Sequence, residues 1–298
     1  MKYRKLGRSG LSVSEIGFGC MSIHEDSPVN SELILKAFDR GINFFDTADL
    51  YDHGLNETIV GKTIRPIRDQ IILATKVGNQ WKEDKSGWTW NPRKAYILES
   101  VENSLRRLQT DYIDLYQLHG GTIDDPTDET IEAFESLVQS GKIRYYGISS
   151  IRPNVIRRFV ERSNIVSVMM QYGLLDRRPE EECIPLLERS GIGILARGVL
   201  ARGLLVNKPP AGFLNYSREQ VQKAANAVAS VTRMPANAAQ TAVAFALHST
   251  TISSAVVGIS NESQLGEVID TQGFEFLTAR DLEILRNSVQ ANYYEQHR

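Results

Sequence analysis

"GINFFDTADLYDHGLNE", residues 41–57, places an apolar run directly before a cluster of polar side chains. Ile42, Asn43, Phe44 and Phe45 follow a glycine and have the length and composition of a short buried strand. The chain then sets Asp46, Thr47, Asp49 and Tyr51 at the strand's end. A buried strand that finishes in carboxylates and a phenol fits an architecture in which chemistry collects at the carboxyl ends of parallel strands.

Seven further apolar runs have the same character: "SEIGFGC", "IILATKV", "YIDLYQLH", "IRYYGISS", "VSVMMQYGL", "GIGILARG" and "SSAVVGIS". Segments with helical periodicity lie between them, among them "SELILKAFDR", "AYILESVENSLRRL", "ETIEAFESLVQSG" and "NAAQTAVAFALHS". Parallel strands must be covered on both faces, so eight such units predict an α/β fold, a (β/α)8 TIM barrel with helices outside. A doubly wound open sheet is the rival arrangement. No Pro/Gly/Ser linker divides the chain, so residues 1–298 are expected to form one domain. The start, "YRKLGRSGLSV", reads as a β-hairpin that could plug the barrel floor, and "SREQVQKAANAVASVTR" and "TARDLEILRNSVQANYY" as extra helices towards the C-terminus.

Composition narrows the partners. With 34 basic and 36 acidic residues there is no charge excess to attract nucleic acid or an anionic membrane. Cys20 and Cys183 are far apart, without metal-ligand spacing, so neither a disulfide framework nor a metal is expected. No signal-peptide core or run of about 18 apolar residues occurs, which predicts a cytoplasmic protein acting on a small molecule. The sequence leaves the oligomeric state open. The pairs Arg106–Arg107, Arg157–Arg158 and Arg177–Arg178 read as solvated helix faces.

Three neighbouring strands then converge on one mouth: Asp46 with Tyr51 after the second, Lys76 at the end of the third, and His119 at the end of the fourth. Each alone has a dull reading, as a helix cap, a surface charge or a core histidine. Together they have a shared chemistry. A phenol with an ordinary pKa of about 10 is a poor acid unless its anion is stabilised. A buried lysine can do that, an aspartate can keep the lysine charged, and an imidazole can orient an oxygen gaining negative charge. The implied reaction is carbonyl reduction.

At these residues the chain resembles the aldo-keto reductases, through "FFDTADLYDHGLNE", "ILATKVG", "LRRLQTDYIDLYQLH", "GKIRYYGISS" and "MMQYGLLDR", over nearly its whole length. The resemblance implies a (β/α)8 barrel, hydride from NADPH or less often NADH, and a catalytic tetrad of Asp46, Tyr51, Lys76 and His119 with Tyr51 as the acid. It places Ser149 and Gln171 on the nicotinamide carboxamide, with Ser150 where asparagine is more usual, and Arg197 stacked on the nicotinamide ring. Gly198, Leu200 and Gly203 correspond to backbone along the pyrophosphate. Gly258, Ile259, Ser260, Gln264 and Glu267 correspond to the adenosine-phosphate site. Gln264 stands where arginine is common, which predicts NADPH use with weakened discrimination against NADH. "GFGCMS", residues 17–22, is not a dinucleotide-binding glycine turn by context. The resemblance instead sets Gly19, Cys20 and Met21 near the ribose and nicotinamide, and Cys20 can equally be a packing residue.

Two rivals share these residues. A lysine at a barrel-strand end beside acidic and phenolic groups is also what a Schiff-base aldolase needs, at Lys76. Some members of the family hold NADP(H) as regulatory subunits with little turnover. Trp81, Trp88 and Trp90, in the loop after Lys76, are expected either to wall a pocket for bulky apolar carbonyls or to latch that loop to its neighbours. The short C-terminal segment after the last helix leaves the tryptophans as the expected wall.

Overall fold

The structure, a computed structural model, describes residues 1–269, 274 and 276–298. The eight apolar runs form β1 (Ile16–Gly19), β2 (Phe44–Asp46), β3 (Ile72–Val77), β4 (Ile113–Leu118), β5 (Ile143–Ser149), β6 (Ser167–Gln171), β7 (Gly193–Arg197) and β8 (Ile252–Gly258). Each pairs in parallel with the next in sequence, and β8 returns onto β1, which closes the barrel. The open-sheet alternative is thereby excluded. Closure explains why the strands read as continuous apolar runs: one face lines the barrel and the other packs under helices.

The N-terminal hairpin, Tyr3–Lys5 against Ser12–Ser14, does plug the floor. Leu6, Leu11 and Val13 pack in one buried cluster with Phe44, Ile72, Ala74, Leu115, Met169, Leu195 and Val256, the lumen-facing residues of six strands. Gly7 makes this possible, because a Cβ there would lie 2.5 Å from Gly193 N and Val166 O. Its φ of +53° also suits glycine.

The two extra helices are Arg218–Val231 and Ala279–Ser288. Val221, Ala224 and Val228 of the first pack with Leu282 and Leu285 of the second. Ser217 with Gln220, and Thr278 with Asp281, close capping boxes at their N-termini. The last helix is shorter than its apolar pattern predicts, stopping at Ser288 instead of running through Tyr294. The segment beyond it crosses to the mouth side: Asn292 Oδ1 accepts from Arg177 N–H at 2.9 Å, and the His297 carbonyl accepts from Asn154 N–H at 2.9 Å. Tyr294 is buried, with the Arg178 guanidinium 5.1 Å from its ring centre. These tertiary contacts outweigh helix propensity, and the segment does reach the rim.

The arginine pairs are more than solvated faces. Arg107 pairs at 2.6 Å with the fully buried Glu57, and Arg178 with the buried Asp176, also at 2.6 Å.

Candidate active site

Alternation decides what enters the barrel. Residues two positions beyond Phe44, Ala74, Leu115, Met169, Leu195 and Val256 also face the lumen, now at its upper end. They are Asp46, Lys76, Gln117, Gln171, Arg197 and Gly258, and five of these six are residues the sequence had marked.

Lys76 Nζ donates to Asp46 Oδ2 and to the Thr47 carbonyl, each at 2.6 Å. Gln117 Nε2 donates to the other Asp46 oxygen at 3.2 Å. Gln117 is a contributor that the sequence reading missed, and its shared parity with Leu115 and His119 is the signal that marks it. Burial works against the Lys76 charge, but Asp46 and then Tyr51 more than offset it and hold the ammonium above its ordinary range. Burial raises the Asp46 carboxyl, opposed by Lys76.

Tyr51 opens the turn after β2, its ring centre 5.2 Å from Lys76 Nζ. The expectation of a phenol more acidic than usual is not met here: burial dominates and raises Tyr51, while Lys76 pulls it down. The phenol therefore stays protonated at neutral pH, the state a proton donor requires. Its turn is unusual, since Asp52, His53 and Gly54 follow with φ of +47°, +55° and +85°. Non-glycine residues in this region carry strain that neighbours must hold. Asp52 meets His24 Nδ1 at 2.8 Å, and His53 lies under Trp81 with ring centres 3.7 Å apart. Gly54 faces Arg107, whose Cδ would lie 2.7 Å from a Cβ there.

His119 follows β4, its ring edge-on to Tyr51 at 6.0 Å between centres and 84° between planes. Burial, reinforced by Lys76 and Arg197, pulls it down to about 3, so the imidazole is neutral. Its Nδ1 is buried without a hydrogen-bond partner.

The remaining strand ends complete the rim. Ser149 ends β5, the buried Ser150 follows it, and Gln171 ends β6. Arg197 ends β7 and donates to Gln171 Oε1 at 3.1 Å. Gly198 turns at φ +72°, where a Cβ would meet Gln171 Cγ at 3.2 Å, and Leu200 leads into the short turn closed by Gly203, at φ +88°. Gly258 ends β8 and Ile259 is buried behind it. Gln264 does not project freely: its Oε1 accepts from Ser260 N–H and Oγ, both at 2.9 Å. Glu267 lies one helical turn on, accepting from Ser263 at 3.4 Å. Across the mouth, Gly19 ends β1, Met21 is exposed and Cys20 is fully buried, its thiol pushed up by burial. Cys20 is a packing residue and no nucleophile.

The tryptophan loop is an antiparallel hairpin, Asn79–Trp81 against Trp88–Trp90. Trp88 is half exposed, whereas Trp90 Nε1 donates to both Asp125 carboxylate oxygens, at 2.9 and 3.0 Å. Among the described residues there is no metal-binding cluster and no helix long and apolar enough to cross a membrane.

Comparison with known proteins agrees with this geometry. Residues 15–289 match the model of the Aldo/keto reductase family. Over the full length of both proteins the chain is 48% identical to "Uncharacterized oxidoreductase YqkF" of Bacillus subtilis (strain 168). It is similar to the holo form of aldo-keto reductase AKR11C1 from Bacillus halodurans, with 49% identity, a TM-score of 0.92, and 100% of this chain and 99% of that one covered. Glycerol dehydrogenase AKR11B4 from Gluconobacter oxydans shares 26% identity and a TM-score of 0.86, covering 99% of this chain and 98% of that one. The chain belongs to the aldo/keto reductase family and is an oxidoreductase of carbonyl compounds.

Proposed function

From that membership we propose that this chain reduces aldehydes and ketones to alcohols with Tyr51 as general acid, using NADPH and accepting NADH. The observation that carries this reading is Lys76, buried and held charged between Asp46 and the Thr47 carbonyl, with the Tyr51 ring centred 5.2 Å from its Nζ. When bound, a nicotinamide cofactor supplies the hydride. Residues at the upper rim fit such a group: Ser149, Ser150 and Gln171 offer hydroxyls and a carboxamide, Arg197 a planar guanidinium, and Gly198 a backbone turn with no side chain in the way.

The chain's own residues do the acid–base work. The Tyr51 hydroxyl gives its proton to the substrate oxygen as negative charge develops there. Lys76 stabilises the phenolate left behind, and Asp46 keeps Lys76 charged against the cost of burial. His119, neutral and facing the same space, orients the carbonyl oxygen by hydrogen bonding. Trp81, beside the Tyr51 turn, and the half-exposed Trp88 supply apolar surface suited to aromatic or bulky carbonyls. Trp90 takes a smaller part in that wall because its indole nitrogen is engaged by Asp125. The substrate is a small carbonyl compound, the domain spans residues 1–298, and the setting is cytoplasmic.

Oxidation of NADPH and of NADH with a panel of aromatic and short aliphatic aldehydes tests the reading, set beside borohydride trapping on Lys76. Aldehyde-dependent oxidation without trapped adduct supports it. An adduct on Lys76 would make the chain an aldolase, and tight cofactor binding without turnover a regulatory NADP(H) carrier.

A further inference from the structure

Trp90 lies over the backbone behind two of the proposed catalytic residues. A Cβ on Gly78, two residues after Lys76, would lie 2.6 Å from Trp90 Cζ3, and a Cβ on Gly120, directly after His119, 3.0 Å from the same atom. The six-membered ring of the indole therefore lies close against both glycines. The backbone beyond His119 is of a kind that fixes little by itself, since Gly120 and Gly121 have φ of +151° and +129°. The indole is itself anchored. Asp125 takes its N–H, and Asp125 is held in turn by Thr122 N–H and Oγ1, each at 2.7 Å.

His119 needs such support because no side-chain hydrogen bond to its Nδ1 orients the ring. Its main chain is gripped instead: its N–H donates to the Val77 carbonyl at 2.7 Å, and its carbonyl accepts from Asn79 Nδ2 at 3.2 Å. Asn79 sits opposite Trp90 in the hairpin register. The hairpin thus holds His119 through Asn79 and holds Gly120 through Trp90.

We propose that Trp90, anchored by Asp125, is a positioning residue that sets the His119 imidazole against Tyr51 at the carbonyl site. The proposal rests on the reading of Tyr51 and His119 as the groups that meet the carbonyl oxygen. A small displacement at such a group costs rate far more than it costs binding. Because Trp90 acts through His119, its effect must vanish when the imidazole is gone.

The test is a double-mutant cycle with a structural readout. Trp90→Ala should lower kcat by about tenfold or more for aromatic and short aldehydes alike, with cofactor affinity unchanged. In a His119→Ala background the same change should alter kcat by less than about twofold. The nuclear Overhauser effect between His119 and Tyr51 ring protons should weaken in Trp90→Ala. Asp125→Ala, which leaves the indole present but unanchored, should repeat these effects in part, and Asp125→Asn, which retains an acceptor, should rescue them. An equal loss in both backgrounds, an unchanged ring–ring signal, or an effect confined to KM for bulky aldehydes would overturn the proposal. If no aldehyde of the panel supports NADPH oxidation by the unaltered chain, the reductase reading fails separately, and the ring–ring signal still decides whether Trp90 positions His119.

Discussion

Lys76 Nζ and Asp46 Oδ2 are 2.6 Å apart and both side chains are almost wholly buried, so the ends of β2 and β3 are joined by a charge pair facing the barrel mouth. Removing one partner leaves the other charge uncompensated, the costly way to break a buried pair. Lys76→Met should therefore lower kcat by about two orders of magnitude or more, since it also strips the phenol of its nearest cation. Cofactor affinity, read by fluorescence titration, should change little. Full activity in Lys76→Met would show that another group tunes Tyr51.

His119 makes acid stability a second readout. Its pKa is about 3 in the fold, below the ordinary 6.5, so between those values the unfolded chain binds the proton and the folded one does not. Stability contributed by this group is present above pH 6.5 and falls as pH drops towards 3. The loss is on the order of a few kcal/mol over that window. His119→Asn removes the titration, so the stability difference between wild type and variant, measured by urea unfolding, should shrink as pH falls from 7 to 4. A pH-independent difference would place His119 in a wetter site than the structure shows.

Glu57 predicts a stability defect close to the site. It is fully buried, accepting from Thr75 Oγ1 at 2.6 Å and from Arg107 Nε at 2.7 Å, and Arg107 backs the turn after Tyr51. Arg107→Leu should cost roughly 3–5 kcal/mol in denaturant unfolding by stranding a buried carboxylate. Glu57→Leu with Arg107→Leu should recover part of that loss. If the double variant is no more stable than Arg107→Leu, the ion pair is not what the carboxylate needs.

Cofactor choice can be tested at the turn after β8. Gln264 braces Ser260, so arginine at position 264 would disturb the loop as well as add charge. Ser260 is exposed, and its backbone N–H bond to Gln264 survives a side-chain change. Ser260→Arg should tighten NADPH by roughly 1.5–3 kcal/mol, the size of a hydrogen bond to a charged group, and leave NADH nearly unchanged. Equal tightening of both cofactors would move the 2′-phosphate elsewhere.

Barrel and rim were legible because two periodicities are written plainly into the chain. Eight apolar runs announce the strands, and period two carries the eye from Ala74 to Lys76 and from Leu195 to Arg197. Side chains that depend on distant partners were not legible. Arg107 looks like a surface charge until the fold brings Glu57, far away in sequence, beneath it. The stretch from Trp81 to Trp90 lacks a clear strand alternation, and the pairing of Asn79–Trp81 with Trp88–Trp90, together with the Asp125 anchor, makes it a hairpin. The terminal segment gives up helix for contacts with Arg177, Arg178 and Asn154, which lie more than 100 residues away in sequence. Tyr51 shows the same limit in electrostatics, because its burial is a property of the folded mouth and reverses the shift expected from Lys76 alone.

The central claim is that the Tyr51 phenol donates the proton, and Tyr51→Phe tests it most directly, since phenylalanine keeps the ring and removes only the hydroxyl. Turnover of a reactive aromatic aldehyde should be followed by NADPH oxidation, with NADPH affinity measured on the same preparation. The account predicts that kcat falls by about 10²–10⁴-fold, the usual contribution of a positioned general acid, while the cofactor dissociation constant stays within about twofold. A Tyr51→Phe protein that keeps most of its activity would contradict the account and leave the proton to another donor.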